Sequence, residues 1–377
     1  MTVRIHKLFQ YLLDTAETGF DASVSFSNAR APRLGDFLGA LDPELSLDWN
    51  NRDFRGLPEL RAHVLRATGL EGRCRLEDVL ITAGAAEANY LAIMQRVAPG
   101  DEIVVEAPGW PQAEVLADGI GATARRVHRR EDEGWRLPLD ALAEAVTPRT
   151  KLIFLSNPNN PTGQLLTDGE IERAAGIAAR VGAWLIVDEV YAGLEWDGVP
   201  APSVAGLYER GITTGSVSKA LGLQGLRTGW LICRDPDLVM DAVILRENSS
   251  EIMNICGEAI AEIAMRPERR AALIDRAKAE GLAALDRLDG IVRASDLLAW
   301  HRPQAGLIGL ARIAGDLDGE AFAARLGSDP WRTFALPGAA YGLPQHVRLG
   351  VGGGEDVALD TGMARLEGLL GDLAATG

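Results

Sequence analysis

The stretch Ser216-Val217-Ser218-Lys219-Ala220-Leu221-Gly222-Leu223-Gln224-Gly225-Leu226-Arg227-Thr228-Gly229-Trp230 links two β-rich runs, Gly211–Val217 and Gly229–Cys233. The link is glycine-rich and too short for a long crossover helix, which predicts antiparallel neighbours at this point. It also gathers two serine hydroxyls, three glycines and an arginine around a lysine. Small hydroxyls and an arginine suit a phosphate group. A surface turn with a solvated lysine is the plain alternative, and the fixed offsets of the glycines and Arg227 weigh against it. Lysine is scarce here: of 38 basic residues only Lys7, Lys151, Lys219 and Lys278 are lysines. Arginine stays protonated and cannot act as a Schiff-base nucleophile, so a retained lysine points to that chemistry. A lysine amine titrates near ~10.4 unless a low-dielectric pocket or a nearby cation lowers it. Lys151 follows Pro148-Arg149-Thr150 at a strand start and Lys278 lies on a charged helix face, which leaves Lys219 as the candidate.

Outward from this segment, strand-like runs alternate with helical ones. Val79–Ile81, Glu102–Val105, Thr123–Val127, Leu152–Ser156 and Ala183–Val187 precede the last two runs. Between them lie the periodic segments Glu87–Val97, Pro111–Asp118, Leu137–Ala145 and Asp168–Val181. This alternation predicts an α/β fold whose mostly parallel sheet lies between helices. After Asp235 the reading changes to helices Leu238–Arg246 and Glu258–Leu288, the second broken at Pro267. Strands Ala299–Trp300, Gly306–Leu310 and His346–Gly350 and a closing helix Val357–Leu373 suggest a smaller α+β domain. The expected division is 1–40, 41–265 and 266–377. The first part holds a helix, Arg4–Glu17, and packs on the small domain or across the cleft.

A length of 377 residues suits two domains. The charge, 38 basic against 53 acidic residues, is −15 and argues against a nucleic-acid partner. The three cysteines, Cys74, Cys233 and Cys256, are scattered, and no CxxC, HExxH or histidine tract suggests a metal. No uninterrupted apolar run long enough to span a membrane and no leader-like start is visible, so the expectation is a cytoplasmic protein.

Three further segments carry chemistry. Ser156-Asn157-Pro158-Asn159-Asn160-Pro161-Thr162-Gly163 follows a central strand, at the edge where open α/β sheets bind ligands. Trp184-Leu185-Ile186-Val187-Asp188-Glu189-Val190-Tyr191 ends an apolar strand in two acids and a tyrosine. A buried carboxylate there needs a cationic partner such as a protonated heterocyclic nitrogen; capping the next helix is the alternative. Ile81-Thr82-Ala83-Gly84-Ala85-Ala86-Glu87 passes from strand to helix through small residues, a weak anion-site signal.

In order, N-P-x-N-P-T-G, D-E-V-Y, S-x-S-K with G-L-R-x-G-W, and a late R-L-G resemble the class I/II aminotransferases, the fold type I enzymes dependent on pyridoxal 5'-phosphate (PLP). The resemblance runs from Leu47 to Gly350. It implies a large domain with a seven-stranded sheet, a homodimer, and PLP bound to Lys219 as its internal aldimine. Lys219 would also shuttle a proton, and Asp188 would keep the pyridine nitrogen protonated. Tyr191 and Asn160 would bond the phenolic oxygen. Ser216, Ser218, Arg227 and the N–H groups of Ala85 and Ala86 would hold the phosphate. Trp110 would stack on the ring, unless it is a core aromatic. Arg348, with Asn160, would bind the substrate, Arg348 clamping its α-carboxylate unless it is a surface arginine.

Transamination between an L-amino acid and a 2-oxo acid is the activity implied. Two departures stand out. No tyrosine stands in Asp48–Arg55, directly before Gly56-Leu57-Pro58-Glu59-Leu60-Arg61, where the family reaches the partner's phosphate; Asn50, Asn51 or Arg52 are the available substitutes. Phe26-Ser27-Asn28-Ala29-Arg30 replaces the usual proline-bearing segment of the substrate pocket. That resembles a branch acting on guanidino amino acids, so oxidation, cyclisation or lyase chemistry is the alternative. A PLP-binding regulatory module is the non-enzyme alternative, and a chain with no room for a DNA-binding domain before Leu34 and no basic face speaks against it.

Overall fold

The computed structural model describes residues 2–48, 50, 52–200, 202–353 and 358–376. Apolar runs too short for helices become strands buried on both faces. In Leu152–Leu155 and Trp184–Val187, alternate residues enter opposite cores. Leu152, Phe154 and Ile186 pack with Leu91 and Ile103, while Ile153, Leu155, Leu185 and Val187 pack with Ile171 and Val104. Burial on both faces is why these segments read as continuous apolar runs.

Among the described residues thirteen short strands are formed in chain order: β1 Ala22–Ser23, β2 Val79–Thr82, β3 Glu102–Ala107, β4 Thr123–His128, β5 Thr150–Ser156, β6 Trp184–Asp188 and β7 Gly211–Ser216. They continue with β8 Gly229–Ile232, β9 Leu298–Trp300, β10 Ile308–Ile313, β11 Thr333–Phe334, β12 Leu336–Pro337 and β13 His346–Gly350. The central sheet has seven strands in the order β2-β8-β7-β6-β5-β3-β4. Only β8 runs antiparallel to its neighbours β2 and β7, as the glycine-rich link implies. A second sheet has the order β12-β13-β10-β9 and is antiparallel throughout.

The helix broken at Pro267 is two helices, Ile255–Met265 and Pro267–Ala294. Arg266 between them is extended, with φ −55° and ψ 137°, the conformation that a following proline favours. The strand expected over Gly306–Leu310 instead spans Ile308–Ile313. Gly306 has φ +74°, outside strand geometry, and the strand starts two residues later. The closing helix is Leu359–Thr376, and the expected start, Val357, lies outside the described residues. Helices Pro58–Ala67 and Gly319–Gly327 and the two-residue strands β1, β11 and β12 are additions to the sequence pattern. Two residues are too few to display a period.

The opening segment helps to position the site. Its helix, Lys7–Thr18, buries Leu8 against Phe334, Leu336 and Ala340. β1 then pairs in parallel with β11. Residues 24–29 run on as a strap: Val24, Phe26 and Asn28 carbonyls accept from the N–H groups of Gly350, Gly352 and Gly353 at 2.6, 3.0 and 2.7 Å. The Ala29 N–H donates to the Lys219 carbonyl at 2.8 Å.

Candidate active site

Strands β5, β6 and β7 end side by side at Ser156, Asp188 and Ser216, which places chemistry at the carboxyl edge of the sheet. Asp188 is buried, and its two oxygens have separate partners. The Val190 N–H donates to Oδ1 at 3.1 Å and the Asn89 side-chain amide donates to Oδ2 at 2.8 Å. The amide is oriented in turn by Thr214, whose hydroxyl donates to Asn89 Oδ1 at 2.7 Å. Asp188 therefore makes a local turn bond and faces the site as well. Burial pushes its pKa up to about 6, against the bonds from Asn89 and Val190 and the charge of Lys219. Asn89 lies outside the sequence motifs. Its signal was a lone amide among Ala85, Ala88, Leu91, Ala92 and Ile93 on the buried face of its helix.

Lys219 is half-buried, its surface still open in part to the cleft. Its amine donates to the Ser27 hydroxyl at 2.8 Å and stands 5.9 Å from the centre of the Tyr191 ring. Desolvation pushes the amine's pKa down to about 8; Arg348 and Arg227 act in the same direction and Asp188 opposes them. Buried Tyr191 is pushed up to about 12 by burial, with Arg348 pulling the other way.

Beside Lys219, the Ser216 hydroxyl accepts the Ser218 N–H at 3.2 Å, which turns the chain at the strand end. Arg227 adopts φ +50° and lays its guanidinium over Gly84, donating to the Gln224 and Ala83 carbonyls. A Cβ at Gly84 would lie 2.6 Å from Arg227 Nη2, and one at Gly229 would lie 2.7 Å from the Ala85 nitrogen. Glycine at both positions thus lets Arg227 and β8 pack directly against the backbone at the helix start formed by Ala85 and Ala86. Gly84 offers no side-chain cap, and first-turn N–H groups have no partner within a helix.

Across the cleft Arg348 is 8% exposed, which removes the surface-arginine alternative. Its Nη1 donates to the Tyr341 hydroxyl at 2.9 Å and its Nη2 to the Ser25 carbonyl at 2.8 Å. The Tyr341 hydroxyl donates to Asn160 Oδ1 at 3.0 Å. Arg348 Nε is buried and has no hydrogen-bond partner among the described residues. Ser25 and Tyr341 were not legible as site residues, because Ser25 meets Arg348 from 323 residues away and Tyr341 meets Asn160 from 181 residues away.

Trp110 is half-buried and packs with residues of both neighbouring cores. Its indole N–H donates to Gln112 Oε1 at 3.3 Å, which also accepts from Asn89 at 3.3 Å. Gln112 Nε2 donates to the Ala86 carbonyl at 2.6 Å, tying the tryptophan to the helix start. Of the three candidates for the missing intersubunit tyrosine, Asn50 bonds Asp48 and Arg52 bonds the Ser46 and Asp48 carbonyls. Asn51 lies outside the described residues.

The chain matches the family "Aminotransferase class I and II" over residues 50–366. It is 29% identical over 341 residues to an aspartate aminotransferase of Streptomyces avermitilis, covering 84% of this chain and 80% of that protein. It is also 29% identical over 319 residues to a capreomycidine synthase of Streptomyces vinaceus, covering 83% and 81%. Matches to two other relatives span 43% and 50% of their lengths. The crystal structure of a PLP-dependent aminotransferase from Streptococcus suis superposes with a TM-score of 0.88 at 23% identity, over 99% of both chains. The fold is therefore that of the fold type I PLP-transferases, and the chain belongs to the class I and II aminotransferases, enzymes whose cofactor is pyridoxal 5'-phosphate.

Proposed function

We propose that this enzyme moves an amino group between an L-amino acid and a 2-oxo acid at the Lys219–Asp188 cluster, with roles as follows. The residues present fit PLP. The small-residue helix start, Ser216, Ser218 and Arg227 offer donors for a phosphate, and the guanidinium of Arg227 laid over Gly84 beside that helix start supports that use. Asp188 offers a carboxylate for a heterocyclic N–H, and Trp110 offers a ring face. Bound, PLP supplies an electron sink for the bonds of the substrate's Cα.

This chain's residues do the rest. Lys219 Nζ, neutral above about pH 8, serves as the nucleophile and carries the proton from Cα. Asp188, ionised above about pH 6, holds a proton on the ring nitrogen. Tyr191 and Asn160 would hold the phenolic oxygen. Arg348 binds the substrate carboxylate, with Tyr341 and Ser25 fixing its fork. The observation that carries this reading is one buried carboxylate and one lysine, each shifted toward neutral pH and each acting electrostatically on the other.

Mixing the PLP-loaded enzyme with individual amino acids and weighing the products tests it: a 2-oxo acid is expected. The likeness to a capreomycidine synthase favours a second reading, cyclisation or another outcome on a guanidino amino acid. A cyclised product, released ammonia or oxygen uptake would decide for that reading. The division into residues 1–40, 41–265 and 266–377 belongs to the same proposal, supported by separate apolar clusters. So does a cytoplasmic homodimer, supported by the family likeness and by Cys74, Cys233 and Cys256 as free thiols. Among the described residues no helix is long and apolar enough to cross a membrane.

A further inference from the structure

The roles above leave one contact of Lys219 unused. Ser27, 6% exposed, accepts from Lys219 Nζ at 2.8 Å. The serine is fixed from both sides by backbone bonds: Phe26 and Asn28 carbonyls accept from Gly352 and Gly353, and the Ala29 N–H reaches the carbonyl of Lys219 itself. A hydroxyl accepts and donates at once. Ser27 lies close enough to the Tyr191 phenol to lower the pKa that burial raises.

We infer that Ser27 is a positioning residue for the Lys219 amine, holding the free Nζ in place. The inference rests on the role given to Lys219 above. It assigns a use to the segment that departs from the family pattern: the strap brings a hydroxyl to the reactive amine. The other groups acting on that amine are Arg348, Arg227, Asp188 and the Tyr191 ring, and Ser27 accepts its hydrogen bond. An acceptor favours the ammonium form over the neutral amine, so Ser27 moderates the downward push of burial and the arginines.

The test uses the full-length chain stripped of cofactor. Acetylation of Lys219 by a small anhydride is followed by mass spectrometry across pH, in the wild type, Ser27→Ala and Ser27→Thr. The wild-type midpoint is expected near about 8. Ser27→Ala lowers it by about one pH unit, the size of a lost hydrogen bond to a charged group. Ser27→Thr retains the hydroxyl and the midpoint. In the PLP-loaded enzyme, Ser27→Ala lowers kcat by about tenfold through a misplaced amine, with KM little changed. Melting temperatures stay close, because backbone bonds hold the strap.

A Ser27→Ala midpoint and kcat equal to wild type would overturn the inference. So would a Ser27→Thr variant that loses as much as Ser27→Ala. Should Ser27→Ala fail to fold, Ser27→Cys, a weaker acceptor of similar size, carries the same expectations at smaller amplitude and the same contrary result. Because the midpoint needs no cofactor, its failure is distinct from failure of the PLP reading, which would show as wild-type enzyme that never attaches PLP to Lys219.

Discussion

The sheet wall of the cleft and the wall facing it are assembled in opposite ways. On the sheet wall, Ser156, Asp188 and Ser216 sit at adjacent strand ends, and Lys219 follows three residues after the last. Their places follow from ladder pairing, such as Ser156 opposite Asp188. On the facing wall, Arg348 is fixed by Ser25, 323 residues away in sequence, and meets Asn160 across the cleft through Tyr341. A motif that lies within one loop shows its chemistry before folding. A motif assembled from three segments exists only after it. The two walls are joined electrically, since Arg348 lowers the pKa of Lys219 and Asp188 raises it.

Variants of the two walls should therefore fail differently, the sheet wall in chemistry and the facing wall in binding. Lys219→Ala has the largest effect. Turnover should fall by about 10⁴ or more, the upper range for a positioned proton carrier, while PLP still binds without a covalent bond. Product formation together with cofactor retention checks both halves. Asp188→Ala should lower kcat by about 10² to 10³, the measured scale for losing a preorganised electrostatic partner. Asp188→Asn, measured alongside, separates charge from shape.

Arg348→Lys should raise the amino-acid KM by about 10- to 100-fold and leave PLP affinity within a few-fold, because lysine lacks the planar fork. Equal loss of both would erase the distinction between the walls. Tyr341→Phe removes one hydroxyl from the arginine's hold and should raise KM by about 2- to 10-fold.

The coupling between the walls is open to a pH measurement. The folded pKa of Lys219 lies below its ordinary value, so the neutral amine appears on raising the pH through about 8 instead of well above. PLP capture by the cofactor-free chain should rise about tenfold per pH unit up to that point and then level off. Removing a cation favours the ammonium form, so Arg348→Leu should move the plateau to higher pH, whereas Arg348→Lys keeps the charge and leaves it. Stopped-flow absorbance gives both curves.

The same contrast explains what was legible in the sequence. The seven strands of the main sheet are apolar or β-rich runs between turn signals, and the antiparallel place of β8 follows from a glycine-rich link. Lys219, Asp188, Asn160 and Arg227 stand in contiguous motifs with fixed offsets. Asn89 was legible in principle, as one amide on an apolar helix face, but its partner Asp188 lies 99 residues on. Ser27, Ser25 and Tyr341 sit in segments that look like ordinary polar or small-residue loops. Their meaning comes from backbone pairing of the strap with the residues after β13, and two-residue strands leave no periodic trace. Gly306 shows a smaller version of the same limit: its neighbours are apolar, yet a left-handed backbone ends the strand pattern there.

The most direct measurement reduces the PLP-loaded enzyme with borohydride, digests it and maps the cofactor by mass spectrometry. PLP fixed to the peptide containing Lys219 is the result predicted here. PLP fixed instead to Lys7, Lys151 or Lys278, or an enzyme that transaminates with no lysine labelled at all, would contradict the account.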